Sequence, residues 1–254
     1  MEDVRIPYSE GKTLDASWLQ HTGSTLKGRA VLLPGYLDTH RYPHLKRLAE
    51  SLQSRGWDVM CFSPRGTWES NGVPAEYTIS NYLRDIQSVL TWLSERTSTQ
   101  TTYLIGHSLG GLVSLLSAAQ LPGITGVVAI MPPSQLTALN LLPLRLRWKI
   151  LGRKTFKQDI PNNPKERKTF VIPYSFVQDA AQYKGKQIVR QLKQRVLFIA
   201  GSEDRLIPTR HVQALAQEHQ PAFPCIVVEG ARHIYRKNPQ SIRNINQIII
   251  DFLQ

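Results

Sequence analysis

The most informative segment of the chain is Leu104-Ile105-Gly106-His107-Ser108-Leu109-Gly110-Gly111. It places Gly-x-Ser-x-Gly between an apolar run and a segment with helical spacing, which is the order strand, sharp turn, helix. Such a turn leaves no room for side chains beside the serine, so glycine is expected at positions 106 and 110. On its own the pattern is short enough to be a glycine-rich turn without chemistry, and the rest of the chain must supply the partners of Ser108.

Strands and helices alternate on both sides of this segment. Residues 29–33 and 57–62 are short apolar runs typical of strands buried on both faces. Residues 42–55 and 78–96 carry apolar side chains at helical spacing. The other predicted strands are 4–8, 13–20, 101–105, 124–131, 195–201 and 224–230, and the other predicted helices are 109–120, 208–219 and 238–254. This alternation predicts an α/β protein with a mostly parallel eight-stranded sheet and helices on both faces.

Composition is that of a globular protein with a sizeable core. The chain has 254 residues, of which 41% are hydrophobic. No apolar run approaches the ~18 residues of a membrane-spanning helix, and the first residues lack the basic and apolar regions of a signal peptide. Cys61 and Cys225 each lie in an apolar run, so we expect buried free thiols and a cytoplasmic location.

The alternation stops over residues 134–193, which are rich in Pro, Lys and Arg. An unstructured loop of that length is unusual in a compact domain. We therefore predict a helical cap inserted into a core formed by residues 1–133 and 194–254. Residues 145–195 contain fourteen Lys and Arg against three acids, so this region holds eleven of the twelve excess positive charges.

The basic charge of the insertion has several possible meanings. It can be a solvated surface, or it can attract acidic substrates. Nucleic-acid binding is not expected, because no recognition module accompanies the charge. We favour peripheral contact with an anionic membrane, because apolar residues alternate here with Arg145 and Arg147. These apolar residues are Leu139, Leu141, Leu142, Leu144, Leu146 and Trp148.

Three motifs together resemble the α/β-hydrolase fold over nearly the whole chain. They are the segment around Ser108, residues 201–208 after the penultimate strand, and residues 230–233 after the last strand. Serine, acid and histidine in this chain order are typical of that fold. The insertion and the loop over residues 65–72 are similar to those of monoacylglycerol lipases and cinnamoyl or feruloyl esterases. The resemblance implies a serine hydrolase with an inserted cap.

A serine hydroxyl is a weak nucleophile near neutral pH and needs a base within hydrogen-bond reach. We predict that His233 is this base for Ser108, because the loop after the last strand lies at the same sheet edge as the serine turn. The histidines that are less well placed are His40, His44, His107 and His211.

The base needs a carboxylate, and the tetrahedral intermediate needs two hydrogen-bond donors. Position within the motif favours Asp204 as the carboxylate, with its neighbour Glu203 as the alternative. The N–H of Leu109 is the first expected donor to the oxyanion. The resemblance implies the N–H of Tyr36 as the second, although Pro34 stands where relatives carry histidine.

The remaining residues indicate which metals, cofactors and substrates to expect. No metal or cofactor is expected, because the histidines lack metal-ligand spacing and no dinucleotide or phosphate-loop motif occurs. Candidate walls of an acyl or aryl pocket, or equally the core of the cap, are Trp148, Phe170, Tyr174 and Phe176. We therefore expect hydrolysis of small-molecule or lipid carboxylic esters through an acyl-enzyme. The alternatives are acyl transfer, thioester or amide cleavage on the same residues, and a non-catalytic binding protein with this fold.

Overall fold

The computed structural model of the protein describes residues 2–97, 99–136 and 142–254, without the side chains of residues 142–145 and Pro164. Its strands are β1 (Glu2–Ser9), β2 (Lys12–Leu19), β3 (Gly28–Leu33), β4 (Trp57–Phe62), β5 (Thr102–His107), β6 (Gly126–Ile130), β7 (Arg153–Ile160), β8 (Asn163–Pro173), β9 (Arg195–Gly201) and β10 (Cys225–Val228). Its helices are α1 (Pro43–Gln53), α2 (Ile79–Ser94), α3 (Leu109–Gln120), α4 (Leu142–Leu151), α5 (Ser175–Ala180), α6 (Gly185–Val189), α7 (Thr209–Ala216) and α8 (Pro239–Phe252). Leu139 and Leu141 lie outside the described residues, as do the side chains of Leu142, Leu144 and Arg145.

Eight of the described strands form one sheet in the order β1-β2-β4-β3-β5-β6-β9-β10. β2 pairs antiparallel with β1 and with β4, and the other neighbouring pairs in this sheet are parallel. The predicted mostly parallel sheet is therefore confirmed. Because the parallel strands share one direction, the loops after β3, β5, β9 and β10 meet at the same edge, which collects the site residues.

Alternate residues of each central strand face two different helical layers. On β3, Val31 and Leu33 belong to one core, whereas Ala30 and Leu32 belong to the other. The first core also contains residues of α2, α3 and α7, and the second contains residues of α1 and α8. Helices thus cover both faces, as predicted. No helix in the described part of the chain is long and apolar enough to cross a membrane.

Both cysteines are free thiols. Cys61 is buried, as expected for a strand inside the sheet, whereas Cys225 is half-buried because it lies on the edge strand β10.

The insertion between β6 and β9 is only partly helical, so the prediction of a helical cap was incomplete. It contains α4, α5 and α6, but β7 and β8 form a separate antiparallel hairpin. β7 has the sequence Arg-Lys-Thr-Phe-Lys-Gln-Asp-Ile, in which Phe156 is the only apolar residue before the last position. Its strand conformation therefore depends on pairing with β8, where Phe156 lies opposite Phe170. A contact between distant residues of this kind leaves little periodicity in the sequence.

The turn between β5 and α3 requires glycine at position 106. A Cβ atom on Gly106 would lie 2.5 Å from the Gly111 nitrogen and closer still to the Gly110 carbonyl.

We expect Gly106→Ala to lower the free energy of unfolding in urea by about 3 kcal/mol, because the first turn of α3 must shift. Gly123→Ala is the control, because a Cβ on Gly123 would meet open space, so that only its φ of 78° disfavours alanine there. It should cost only about 1 kcal/mol, and an equal loss in both variants would contradict the steric argument.

Candidate active site

Ser108 occupies the tight turn between β5 and α3 in a strained conformation. Its φ of 53° and ψ of −119° are uncommon for a residue with a side chain and cost on the order of 1–3 kcal/mol. The Ser108 N–H donates to the Ile130 carbonyl at 2.8 Å, which anchors the turn to β6. Gly110 packs directly on the Leu33 and Pro34 carbonyls, where a Cβ would overlap the backbone. The hydroxyl is therefore held above the sheet edge, and Ser108 remains partly exposed.

His233 lies in the loop after β10 and contacts both other predicted residues. Its Nε2 is 2.9 Å from the Ser108 Oγ, and its Nδ1 is 2.7 Å from the Asp204 Oδ2. In the neutral ring, Nδ1–H donates to the carboxylate, and Nε2 accepts from the hydroxyl. The structure thus brings together three side chains that are far apart in the sequence.

Asp204, and not Glu203, faces the histidine. The second oxygen of the Asp204 carboxylate accepts the N–H groups of Leu206 and Ile207, each at 2.8 Å. Asp204 is buried and fixed in one orientation by these bonds. Glu203 instead forms an exposed ion pair with Arg232 at 2.9 Å. Of the two carboxylates that the sequence offered, Asp204 is the one that contacts His233, and its catalytic role stays a prediction.

Hydrogen bonds between the loops after β9 and β10 hold Asp204 and His233 together. The Ser202 N–H donates to the Val228 carbonyl at 3.0 Å, and the Glu203 N–H donates to the Ala231 carbonyl at 3.1 Å. The Gly230 N–H donates to the Ser202 hydroxyl at 2.9 Å. These bonds explain why Asp204 and His233 meet although they sit on separate loops.

The predicted oxyanion donors lie on neighbouring elements. Leu109 is the first residue of α3, so its N–H has no partner within the helix. Tyr36 lies in the loop after β3. α3 contacts this loop, because Gly110 packs against the Pro34 carbonyl. In the described part of the chain, no protein acceptor takes the N–H of Leu109 or of Tyr36. The positive end of α3 adds to the attraction for a negatively charged oxygen.

Hydrogen bonds with two buried tyrosines hold the loop after β3. The Tyr82 hydroxyl donates to the Pro34 carbonyl at 3.0 Å, and the Leu37 N–H donates to the Tyr77 hydroxyl at 3.1 Å. Pro34 therefore does not leave the loop without support.

A buried polar cluster behind His233 was missed by sequence reasoning. His107 Nε2–H donates to the His233 carbonyl at 2.9 Å, and its Nδ1 lies 3.8 Å from Asp38 Oδ2. One ligand-capable atom from each of Asp38, His44 and His107 lies within 4.8 Å of the others. Arg236 Nη1 is 4.0 Å from the other Asp38 oxygen, which places a positive charge beside the cluster. These residues lack metal-ligand spacing along the chain, so no sequence signal indicated the cluster.

Burial sets the protonation of this cluster. Burial lowers the pKa of His44 to about 3, and burial also lowers the pKa of His107. For Asp38, burial alone would raise the pKa, but neighbouring groups that include the Arg236 guanidinium outweigh burial, so the pKa falls below its usual range. At neutral pH the histidines are neutral, and the Asp38 carboxylate is balanced by Arg236.

Three of the four predicted pocket residues form one aromatic cluster. Trp148 stacks on Phe176 with ring centroids 6.3 Å apart and meets Tyr174 edge-on at 6.4 Å. Phe176 lies 4.9 Å from the ring of Tyr36, which connects the cluster to the loop after β3. Trp148 and Phe176 are buried and Tyr174 is half-buried, so these rings form part of the core of the insertion.

Phe170 lies apart from this cluster. It packs edge-on against Trp68 at 5.5 Å, in a second group of rings with Tyr42. The ring contacts that sequence reasoning did not anticipate involve Tyr36, Trp68, Tyr77 and Phe156.

The site geometry agrees with a family comparison. Residues 31–173 match the alpha/beta hydrolase fold family. The chain belongs to the α/β hydrolase fold family. The fold described above therefore agrees with the family that the sequence matches.

Individual relatives are distant. The chain is 27% identical over 240 residues to the alpha/beta hydrolase domain-containing protein WAV2 of Arabidopsis thaliana, covering 90% of this chain and 70% of the relative. It is 24% identical over 215 residues to the mitochondrial palmitoyl-protein thioesterase ABHD10 of Rattus norvegicus, covering 82% and 70%. Among solved structures, Est1E of Butyrivibrio proteoclasticus with bound ferulic acid superposes with a TM-score of 0.78 at 18% identity, covering 98% and 97% of the two chains. At this identity the superposition shows the fold alone.

The buried histidine at position 44 should make stability sensitive to acid. Its folded pKa of about 3 lies below the unfolded value, so the unfolded chain binds a proton that the folded chain does not between these values. The free energy of unfolding should therefore fall as the pH drops below about 6.5, by up to about 1.4 kcal/mol per pH unit for this group. His44→Leu should flatten that slope by about one proton in urea unfolding at graded pH.

His211→Leu is the control, because His211 is exposed on α7. His44→Leu breaks no hydrogen bond, since neither ring nitrogen has a partner among the described residues. An unchanged pH slope in His44→Leu would contradict the assignment.

Proposed function

We propose that the protein is a serine hydrolase that cleaves carboxylic esters through an acyl-enzyme. The observation that carries this proposal is the continuous hydrogen-bonded series from the Ser108 hydroxyl through the His233 ring to the Asp204 carboxylate. A hydroxyl, an imidazole and a carboxylate in this arrangement constitute an activated nucleophile.

The reaction would proceed in two similar steps. The Ser108 Oγ attacks the acyl carbonyl carbon while His233 Nε2 takes its proton. The tetrahedral intermediate collapses, His233 gives that proton to the leaving alcohol, and the acyl group stays on Ser108. A water molecule then attacks the acyl-enzyme while His233 takes a proton from it. The second tetrahedral intermediate collapses, His233 returns that proton to the Ser108 Oγ, and the carboxylic acid is released. Asp204 holds the imidazole in the required tautomer and stabilises its protonated form.

The oxyanion of both intermediates would be bound by the N–H groups of Tyr36 and Leu109. Backbone donors that are fixed before the reaction need no reorganisation as negative charge develops, and each such donor is worth about 10²–10³-fold in rate. The Ser108 N–H cannot serve, because it is already bonded to Ile130.

The aromatic cluster supports an apolar acyl or aryl-acyl group as substrate. Tyr36 would supply one oxyanion donor, and its ring contacts Phe176, which stacks on Trp148. Rings of this kind line pockets for apolar ligands, with a few polar groups fixing the orientation. The ferulic acid bound by Est1E is consistent with an aryl-acyl group.

A thioester substrate is the second candidate, and the relative named palmitoyl-protein thioesterase favours it. The acyl-enzyme would be the same, with a thiol leaving in place of an alcohol.

Oxygen esters and thioesters of the same aliphatic and aryl acids separate the two candidates. We expect kcat/KM to be higher for the oxygen esters, and a preference of tenfold or more for thioesters would reassign the function.

Ser108→Ala should abolish turnover of p-nitrophenyl esters. Loss of the nucleophile in such an arrangement lowers kcat on the order of 10³–10⁶-fold. Ser117→Ala is a matched control on the same helix, because Ser117 is buried and its hydroxyl has no partner among the described residues. Activity should survive in the control. Turnover by folded Ser108→Ala protein near the unmodified rate would exclude the proposed chemistry and leave a binding protein of this fold.

Asp204→Asn and Glu203→Gln form a second matched pair. Asn in place of Asp204 holds the wrong tautomer of His233, and we expect kcat to fall on the order of 10⁴-fold. Glu203→Gln should leave steady-state kinetics almost unchanged, because Glu203 contacts Arg232 at the surface. The reverse ranking of the two variants would show that Glu203 supplies the carboxylate.

A further inference from the structure

The outer face of the insertion exposes aliphatic side chains next to cations. We call it the α4–β7 surface, formed by Leu146, Arg147, Lys149, Ile150, Leu151 and Arg153. Leu146, Ile150 and Leu151 are 60%, 75% and 58% exposed. Side chains of this size are normally at least half-buried, and a contiguous apolar patch commonly marks an interaction site.

The opposite face of α4 is already occupied by the aromatic cluster. Trp148 is buried against Phe156 and Phe176, and its Nε1–H donates to the Ile172 carbonyl at 3.1 Å. The sequence prediction that Trp148 contacts a membrane is therefore wrong, because this ring faces inward. α4 carries large apolar side chains on its exposed side as well as on its buried side. Contacts within the described residues cover only those on the buried side.

The cations of the α4–β7 surface lack acidic partners, whereas several other cations of the insertion have them. Arg167 pairs with Asp159, Lys168 with Glu69, and Lys186 with Glu218. Among the ion pairs of the described residues, none involves the cations of the α4–β7 surface, which are Arg147, Lys149 and Arg153. Positive charge without an acidic partner therefore lies beside the exposed aliphatic residues.

A groove between α4 and β7 lies within this surface. It has a volume of about 500 Å³ and is lined by Arg147, Trp148, Leu151, Arg153, Lys154 and Thr155. The lining contains three cations and no carboxylate, and the Lys154 ammonium lies 5.7 Å from the Trp148 ring. The groove therefore suits an anionic group that has an apolar attachment, as a phospholipid does.

We propose that the α4–β7 surface docks on a bilayer that contains anionic phospholipid. Leu146, Ile150 and Leu151 would enter the apolar boundary of the bilayer, and the neighbouring cations would bind lipid phosphates. A nucleic acid would use the cations but would leave three large aliphatic side chains in water. A second copy of the chain would bring two sets of unpaired cations together. The bilayer alone satisfies both features.

Docking would place the aromatic cluster of the insertion close to the lipid. The inner face of α4 contacts Phe176, which contacts Tyr36 beside the proposed oxyanion donors. Delivery of lipid esters to Ser108 rests on the proposed function, whereas docking itself does not. The two can therefore fail separately.

Sedimentation with vesicles tests the proposal. Full-length Ser108→Ala protein should bind vesicles of phosphatidylcholine with phosphatidylserine and should bind phosphatidylcholine alone far less, with binding reduced at high salt. Replacing Arg147, Lys149 and Arg153 by Gln should weaken partitioning on the order of a hundredfold. Ile150→Ser with Leu151→Ser should weaken it on the order of tenfold. Lys154 is kept, because it lies over the rings of the cluster.

The control variant removes the same charge elsewhere, through Arg55→Gln, Arg84→Gln and Arg243→Gln, all at exposed positions. It should retain most of the vesicle binding. Turnover of a soluble ester without vesicles should be unchanged in the surface variants of otherwise unmodified protein, which separates docking from the proposed chemistry. Equal loss in both triple variants, equal binding to both kinds of vesicle, or binding to DNA without binding to vesicles would overturn the proposal. So would concentration-dependent self-association that Ile150→Ser with Leu151→Ser abolishes.

Discussion

The contact between the end of β5 and the first turn of α3 determines where every other part of the site must lie. Gly106 and Gly110 let the two backbones approach so closely that Ser108 is forced to a φ of 53°. The same close approach brings α3 into direct contact with the loop after β3. One steric constraint therefore positions the hydroxyl, the Leu109 N–H and the Tyr36 loop together, and the strain is sustained by the buried strands on either side.

Asp204 and His233 are brought to this turn by a second, independent set of contacts. The loops after β9 and β10 are bonded to each other, so Asp204 and His233 arrive as a unit. Behind them, His107 donates to the His233 carbonyl and thereby links the serine turn to the loop of the base. The imidazole is thus fixed through its ring by Asp204 and through its backbone by His107. An arrangement held from both sides is expected to need little reorganisation during the reaction.

The parts of this protein that could be predicted from sequence are those specified by local patterns. The strands buried on both faces appear as apolar runs, and the turn at Ser108 has its own glycine pattern, so the sheet and the meeting of Ser108, Asp204 and His233 followed from chain order. The hairpin of β7 and β8 could not be predicted, because Phe156 meets Phe170 only after the chain has folded back. The same is true of the buried cluster, whose members come from the loop after β3, α1 and β5. Trp148 was predicted both as a membrane contact and as a pocket or cap-core residue, and only the second agrees with its burial. The sequence could not decide between them, because helical phase is hard to define in a short helix rich in both Leu and Arg.

The central claim is that Ser108 accepts an acyl group from substrate. Mass spectrometry of the intact protein and of its peptides, after brief reaction with a p-nitrophenyl ester and quenching in acid, tests this claim most directly. The account predicts a mass increase equal to one acyl group, located on the peptide that contains Ser108 and missing from Ser108→Ala protein. Ester turnover with the acyl group found on another residue, or no adduct with ester or fluorophosphonate on correctly folded protein, would contradict it.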